Sequence, residues 1–165
     1  MIALKRVLVP TDFSEFSEAA LKYGVALSKT FGASLHLLHV VTAPLPDPVR
    51  NCPTGVMGEM HDFEAHSRTR LQTLVSTNDL VASRVVSTAV NGDPTEEILR
   101  YARDNDMDLI VCGTHGLRGW NRLMMGSVAE KLVRKASCPV LTVHHPEHEF
   151  VQPDMPVAKA SRSAA

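Results

Sequence analysis

The chain has no cysteine pairing of the kinds that usually carry chemistry. Its three cysteines, Cys52, Cys112 and Cys138, are odd in number, widely spaced and never arranged as CxxC. That argues against a disulfide framework and the common zinc sites, and a reducing cytoplasm is the simplest compartment for such a chain. An excess of one charge is also missing: 17 basic residues stand against 18 acidic ones, for a net charge of −1. Nucleic-acid binders usually show a basic footprint, so no nucleic acid is expected as a partner. No apolar run approaches the roughly 20 residues of a membrane span. The opening MIALKRVLVP is too short and too soon broken to read as a signal peptide. Two phosphate fingerprints are absent as well: there is no GxxxxGK[ST], and no GxGxxG follows the first strand.

What the chain does have is alternation. Its 165 residues suit one domain with a sizeable core. Lys5 to Val9 is a short β-branched run ended by Pro10. Ser14 then offers an N-cap; Ala19, Ala20, Tyr23, Leu27 and Phe31 recur at helical spacing, and Gly32 supplies the stop. Leu35 to Val41 is a near-continuous apolar run, as strands buried on both faces tend to be. After a proline-rich loop, 59–76 reads as a helix and 84–90 as a strand. In NGDPTEE, Asp93 is an N-cap, Pro94 fits the first helical position and Glu96 can close a capping box. Leu109 to Cys112, Ser127 to Ala136 and Pro139 to Val143 complete the series as strand, helix and strand. Residues 1–145 therefore read as one domain and 146–165, with little periodicity, as a flexible tail.

The order β-α-β-α-β-α-β-α-β predicts a parallel sheet with helices on both faces and right-handed crossovers. Ligands of such sheets bind beyond the carboxyl ends of the strands, where strand order reverses. Five strands place the first beside either the third or the fourth. The loops with site-like chemistry, Pro10-Thr11-Asp12 and GTHGLRGWNRLMMGS, follow strands one and four, which favours the order 3-2-1-4-5.

The second of those loops is a candidate anion site. Gly126 precedes Ser127 at a helix start, where free N–H groups and the helix dipole attract negative charge. Gly113 and Gly116 would let the loop wrap the same anion, and Arg118 and Arg122 could add charge. A side chain at Gly126 would then block the ligand before it disturbed the fold. The competing reading needs no ligand: Ser127-Val-Ala-Glu130 is also a capping box.

The pattern Gly113-x2-Gly116-x9-Gly126-Ser127 resembles the nucleotide-binding signature of the universal stress protein family. VPTDFSE at 9–15, LLHVV at 37–41 and GSVAEKLVRKASCPVLTV at 126–143 are similar to that family in the same order, so the resemblance spans about 2–144. It implies a five-stranded, Rossmann-like α/β fold and, through the complete glycine signature, the subclass that binds ATP. Pro10, Thr11 and Asp12 would sit near ribose and adenine, and Val40 would pack on adenine. Gly113, Gly116, Gly126 and Ser127, with Val128 beside them, would supply the ribose and phosphate contacts. Arg118 and Arg122 lie in a segment that varies within the family. The ligand would be ATP, or ADP or AMP, accompanied by magnesium. The resemblance also implies a homodimer through the last strand, Val140 to Val143. It allows slow hydrolysis, but no base to orient water is visible in the sequence. A regulatory nucleotide-binding module is therefore favoured over an ATPase, and a structural protein with an empty cleft is the third reading.

Several residues have plainer roles open beside the functional ones. Asp12 could hold the metal or simply tie down the turn after the first strand. Trp120 could shield phosphates or pack at an interface. His144, His145 and His148 suit a solvated strand end more than a metal site. His39 reads as a strand-end residue held by a backbone hydrogen bond, His115 as a loop residue facing the site, and Cys112 as a small buried apolar residue.

Overall fold

Five short apolar runs become five parallel strands. The computed structural model describes residues 3–42, 65–75, 84–115 and 126–144. In chain order the elements are β1 (Arg6–Pro10), α1 (Glu15–Phe31), β2 (Ser34–Val41), α2 (65–75), β3 (Val85–Asn91), α3 (Pro94–Asp104), β4 (Leu109–Gly113), α4 (Ser127–Lys135) and β5 (Val140–Val143). The sheet order is β3-β2-β1-β4-β5, as the loop chemistry favoured. β1 lies between β2, with Val7 opposite Leu35, and β4, with Leu8 opposite Ile110. The chain winds outward from β1 to β3, crosses back to β4 and winds out the other way. The reversal therefore falls between β1 and β4.

Strand side chains alternate between faces, and the core divides accordingly. Val7, Val9, Leu35, Leu37 and Val111 pack with Ala19, Ala20 and Tyr23 of α1 and Leu71 of α2. Leu8, Leu38, Ile110 and Cys112 pack with Ile98 and Ala102 of α3 and Ala129 and Leu132 of α4. Each strand near the centre is buried on both sides, so its sequence is apolar throughout rather than alternating. Cys112 behaves as an apolar residue, with burial pushing its thiol up to about 12.

The helix starts follow local chemistry at two of the places where the sequence offered a cap. The Ser14 hydroxyl accepts from the Ser17 N–H, and Asp93 Oδ1 accepts from the Glu96 N–H at 3.0 Å, with Pro94 in the first turn. The capping box that Ser127-Val-Ala-Glu130 offered as the competing reading does not form. The N-cap of α4 is Gly126, which makes no side-chain cap bond, and Ser127 is the first helical residue. Glu130 instead pairs with Arg134 at 3.0 Å along the helix, an i,i+4 arrangement that competes for its carboxylate. Gly116, Arg118, Trp120, Arg122, His145, His148 and the expected tail lie outside the described residues. So do Cys52, the proline-rich loop and the ends of the 59–76 helix.

Candidate functional site

The carboxyl edge of β1 ends in a tightly wired turn. The Thr11 N–H donates to the Leu38 carbonyl at 2.9 Å, which keeps the chain in register with β2 one residue beyond the strand. Thr11 Oγ1 accepts from the Phe13 N–H at 3.0 Å and lies 3.1 Å from Ser17 Oγ. Asp12 Oδ1 accepts from both the N–H of Ser14 at 3.1 Å and its hydroxyl at 2.5 Å. Asp12 thus ties down the turn, as one of its two sequence readings held. Ser14 at once orients Asp12 and caps α1, so Ser14→Ala is expected to cost about 1–2 kcal/mol, at the upper end for an N-cap. Thermal or urea melts check this, and a loss below about 0.5 kcal/mol would contradict the double role.

The carboxyl edge of β4 faces that turn. The Thr114 N–H donates to the Val143 carbonyl at 2.9 Å, and the Gly126 N–H donates to the Thr114 carbonyl at 2.7 Å. The start of α4 is thereby pinned to the residue that follows β4. The helix's own bonding begins with the Glu130 N–H on the Gly126 carbonyl, at 3.0 Å. The N–H groups of Ser127 and Val128 precede it and point out of the helix start, as first-turn N–H groups do. Ser127 is exposed, and the one acidic residue of this first turn, Glu130, is ion-paired. By contrast the first turn of α1 carries Glu15 and Glu18. Of the three described helix starts at this edge, α3 is capped by Asp93 and carries Glu96 and Glu97 in its first turn, which leaves α4 as the one suited to an anion.

Two glycines have close neighbours of their own chain. A Cβ on Gly113 would stand 2.7 Å from the Phe16 carbonyl oxygen, so the first turn of α1 lies directly against the end of β4. A Cβ on Gly126 would stand 3.0 Å from the Thr114 carbonyl oxygen, the same oxygen that its N–H meets. A side chain at Gly126 would therefore press on this carbonyl as well as on any ligand held there.

The apolar part of the site comes from strand ends and the start of α4, on the α3/α4 side. Val40, Val90 and Val128 are half-buried and packed on the core of that face. Pro10, two residues after Leu8, shares its face by alternation. The structure thus gathers Pro10, Thr11, Asp12, Val40, Gly113, Gly126, Ser127 and Val128 at one edge of the sheet, around the reversal between β1 and β4.

Sequence reasoning missed the residues that surround the Asp12 turn. Phe13 adopts φ 63°, in the left-handed region that a bulky side chain seldom enters. Its ring lies 4.5 Å from that of His39, and Arg70 of α2 stands 3.9 Å from its centroid. His39 bonds through Nδ1 to the Thr11 carbonyl at 2.7 Å, so Nδ1 carries the proton. The backbone bond expected of His39 is present. The Asp12-x-Ser14 spacing is an Asx-turn signal and could have shown the carboxylate's partner. No local signal points to Arg70. On the β4 side, His115 is buried, its ring 5.5 Å from Phe16, and Thr114 Oγ1 lies within 3.1 Å of His115 Nδ1 and 3.3 Å of His144 Nδ1.

Burial lowers the pKa of His39, Arg70 lowers it further, and the Thr11 carbonyl and Asp12 oppose the shift. Burial, then Arg6, lowers that of His36, whose Nδ1 sits 2.9 Å from the Tyr101 hydroxyl. Both imidazoles therefore take up a proton less readily in the fold than in the open chain. Protons therefore favour the unfolded chain as pH falls below the ordinary value of 6.5. Melting temperature is expected to fall between pH 7.5 and 5.5, and less so in His36→Gln and His39→Gln. A melting temperature that rose over that interval would contradict the assignment.

A concavity of about 560 Å³ lies at the opposite end of the sheet, lined by Lys5, Arg6, Phe31 and Arg84 among others. It suits an anion poorly. The carbonyl end of α1 closes there, and Arg6 is already engaged with the Asn105 and Asp106 carbonyls and, at 3.7 Å, the Asp106 carboxylate. Among the described residues no group of three or more metal-ligating side chains occurs, and no helix is long and apolar enough to cross a membrane.

Comparison with known proteins gives a consistent picture. Residues 3–144 match the model of the universal stress protein family. Universal stress protein MJ0531 of Methanocaldococcus jannaschii is 30% identical over 147 residues, covering 88% of this chain and 85% of its own. The solved structure of MJ0577, from the same organism, superposes with a TM-score of 0.76 at 29% identity, covering 87% of this chain and 97% of that one. A universal stress protein solved in complex with cAMP shares the fold at TM-score 0.57 and 24% identity, over 87% of this chain and 98% of its own.

Proposed function

Because the chain belongs to the universal stress protein family, we propose that it binds an adenine nucleotide, ATP foremost, at the carboxyl edge between β1 and β4. The observation that carries this is the start of α4: an N-terminus with no side-chain cap, pinned beside β4, its first-turn acid already neutralised. Phosphate oxygens would take the Ser127 and Val128 N–H groups and the Ser127 hydroxyl. Adenine would lie over Pro10 and Val40, with Thr11 and Asp12 at the ribose. Gly113 and Gly126 keep the backbone of the two loops close enough to share one ligand. Gly116, outside the described residues, completes the set by the glycine signature, and Arg118, also outside them, would add positive charge. That a relative of this fold holds cAMP supports an adenine nucleotide as the class.

Magnesium would arrive with the phosphates. Asp12 Oδ1 is occupied by Ser14 and no group of three or more metal-ligating side chains occurs among the described residues, so the ion would be held largely by phosphate oxygens and water, as magnesium commonly is. Its contribution would be to neutralise phosphate charge.

The module acts as a nucleotide-dependent regulator in the cytoplasm, without a membrane or nucleic-acid partner. It works as a homodimer through Val140–Val143, with residues 1–145 as the binding domain and 146–165 as an appended tail. Hydrolysis needs a group that orients water, and His115 and Asp12 are both committed to local contacts. Binding rather than turnover is the activity. Mass spectrometry of the purified, desalted protein tests this: co-purified ATP, ADP or AMP supports the reading, and a dimer with no adenine nucleotide favours a purely structural role.

A further inference from the structure

We propose that Arg70 is a positioning residue for the nucleotide site, acting through Phe13 on the Thr11–Ser14 turn, so that docking of α2 and occupancy of the site are linked. The inference rests on the nucleotide reading above and adds an element to it.

The strained residue is the starting point. A phenylalanine at φ 63° persists only where its surroundings over-determine it. Three contacts do so here. The Phe13 N–H is taken by Thr11 Oγ1 at 3.0 Å. Its ring lies against His39 of β2, which at the same time holds the Thr11 carbonyl at 2.7 Å. Its ring also meets the Arg70 guanidinium at 3.9 Å. The first two contacts lie within the sheet edge itself. The third reaches in from α2, and its origin is fixed because the neighbouring Leu71 is only 1% exposed in the core.

Asp12 sits between Thr11 and Phe13, so the geometry that Phe13 adopts decides where Asp12 and the Thr11 carbonyl are presented. Arg70 itself is exposed and fills no space in the core. A contact of this kind adds little to global stability, but it selects one conformation of the turn it touches. A nucleotide that binds only that conformation must tighten α2, and a docked α2 must tighten nucleotide binding by the same factor.

The test uses the full-length protein, stripped of nucleotide and titrated with ATP and magnesium, alongside amide hydrogen exchange of 65–75. In wild type, ATP should slow exchange in that helix. Arg70→Met keeps the stem and removes the cation; it should bind ATP about fivefold more weakly, the size of one such contact. It should melt with wild type and lose the ATP-induced slowing, and Arg70→Lys should recover part of both. Wild-type affinity in Arg70→Met overturns the proposal, as does exchange in 65–75 that ignores ATP. A loss of affinity accompanied by a fall in melting temperature, or one that lysine does not recover, makes Arg70 merely structural and overturns it too. Wild type that binds no adenine nucleotide is the failure of the nucleotide reading, visible in the first titration, and removes this inference with it.

Discussion

Replacing Ser127 by aspartate will abolish ATP binding and leave the fold at least as stable as wild type. Ser127 is the first residue of α4, exposed and outside any cap bond of its own helix. A carboxylate there meets the positive end of the helix and should stabilise it by about 0.3–1 kcal/mol. The same carboxylate would stand in the place proposed for phosphate. Two charges about 4 Å apart near a protein surface repel by roughly 4 kcal/mol, so the affinity loss should exceed about a hundredfold. Stability and binding thus move in opposite directions. Calorimetric titration beside thermal melts reads both. Unchanged ATP affinity in a folded Ser127→Asp protein would place the phosphates elsewhere. Ser127→Ala is the control: the N-cap is Gly126, so the helix should scarcely notice, and only the hydroxyl's contact with phosphate is lost.

The second large effect is on assembly. β5 is the last strand of the sheet, and Leu141 at its middle is 37% exposed. Val133 of the adjacent α4 is 50% exposed. An apolar strand with an open row of backbone donors and acceptors invites pairing. A second copy related by a twofold axis would supply the same strand in return. Leu141→Lys would place two like charges at such an interface and is expected to convert the proposed dimer to a monomer by light scattering at micromolar concentration. An unchanged dimer mass would move the interface away from β5.

The sheet was legible because its determinants are local. Each strand is a short apolar run, and Ser14 and Asp93 mark helix starts by chemistry that a cap requires wherever it occurs. The strand order followed from loop chemistry, since Pro10-Thr11-Asp12 and the glycine stretch succeed the two strands that flank the reversal. The start of α4 was ambiguous for a physical reason: Ser127-Val-Ala-Glu130 satisfies the spacing of a capping box, but Glu130 is equally placed to reach Arg134, and it does. Gly113 and Gly126 were read as openings toward a ligand, whereas Phe16 and Thr114 also press on them. That crowding depends on how α1 and the β4–α4 loop pack. Arg70 was invisible because its partner is 57 residues away in sequence and the pair meets only once α2 has docked. The conformation of Phe13 was invisible as well, since a positive φ leaves no mark in a sequence unless glycine or asparagine occupies it.

The proposed function requires an adenine nucleotide at the edge between β1 and β4. Its most direct test is calorimetric titration of ATP with magnesium into the full-length protein, after unfolding and refolding to strip endogenous ligand. Saturable binding of one nucleotide per chain, lost in Ser127→Asp, is the expected result. A refolded dimer of native melting temperature that takes up no ATP, ADP or AMP would contradict it.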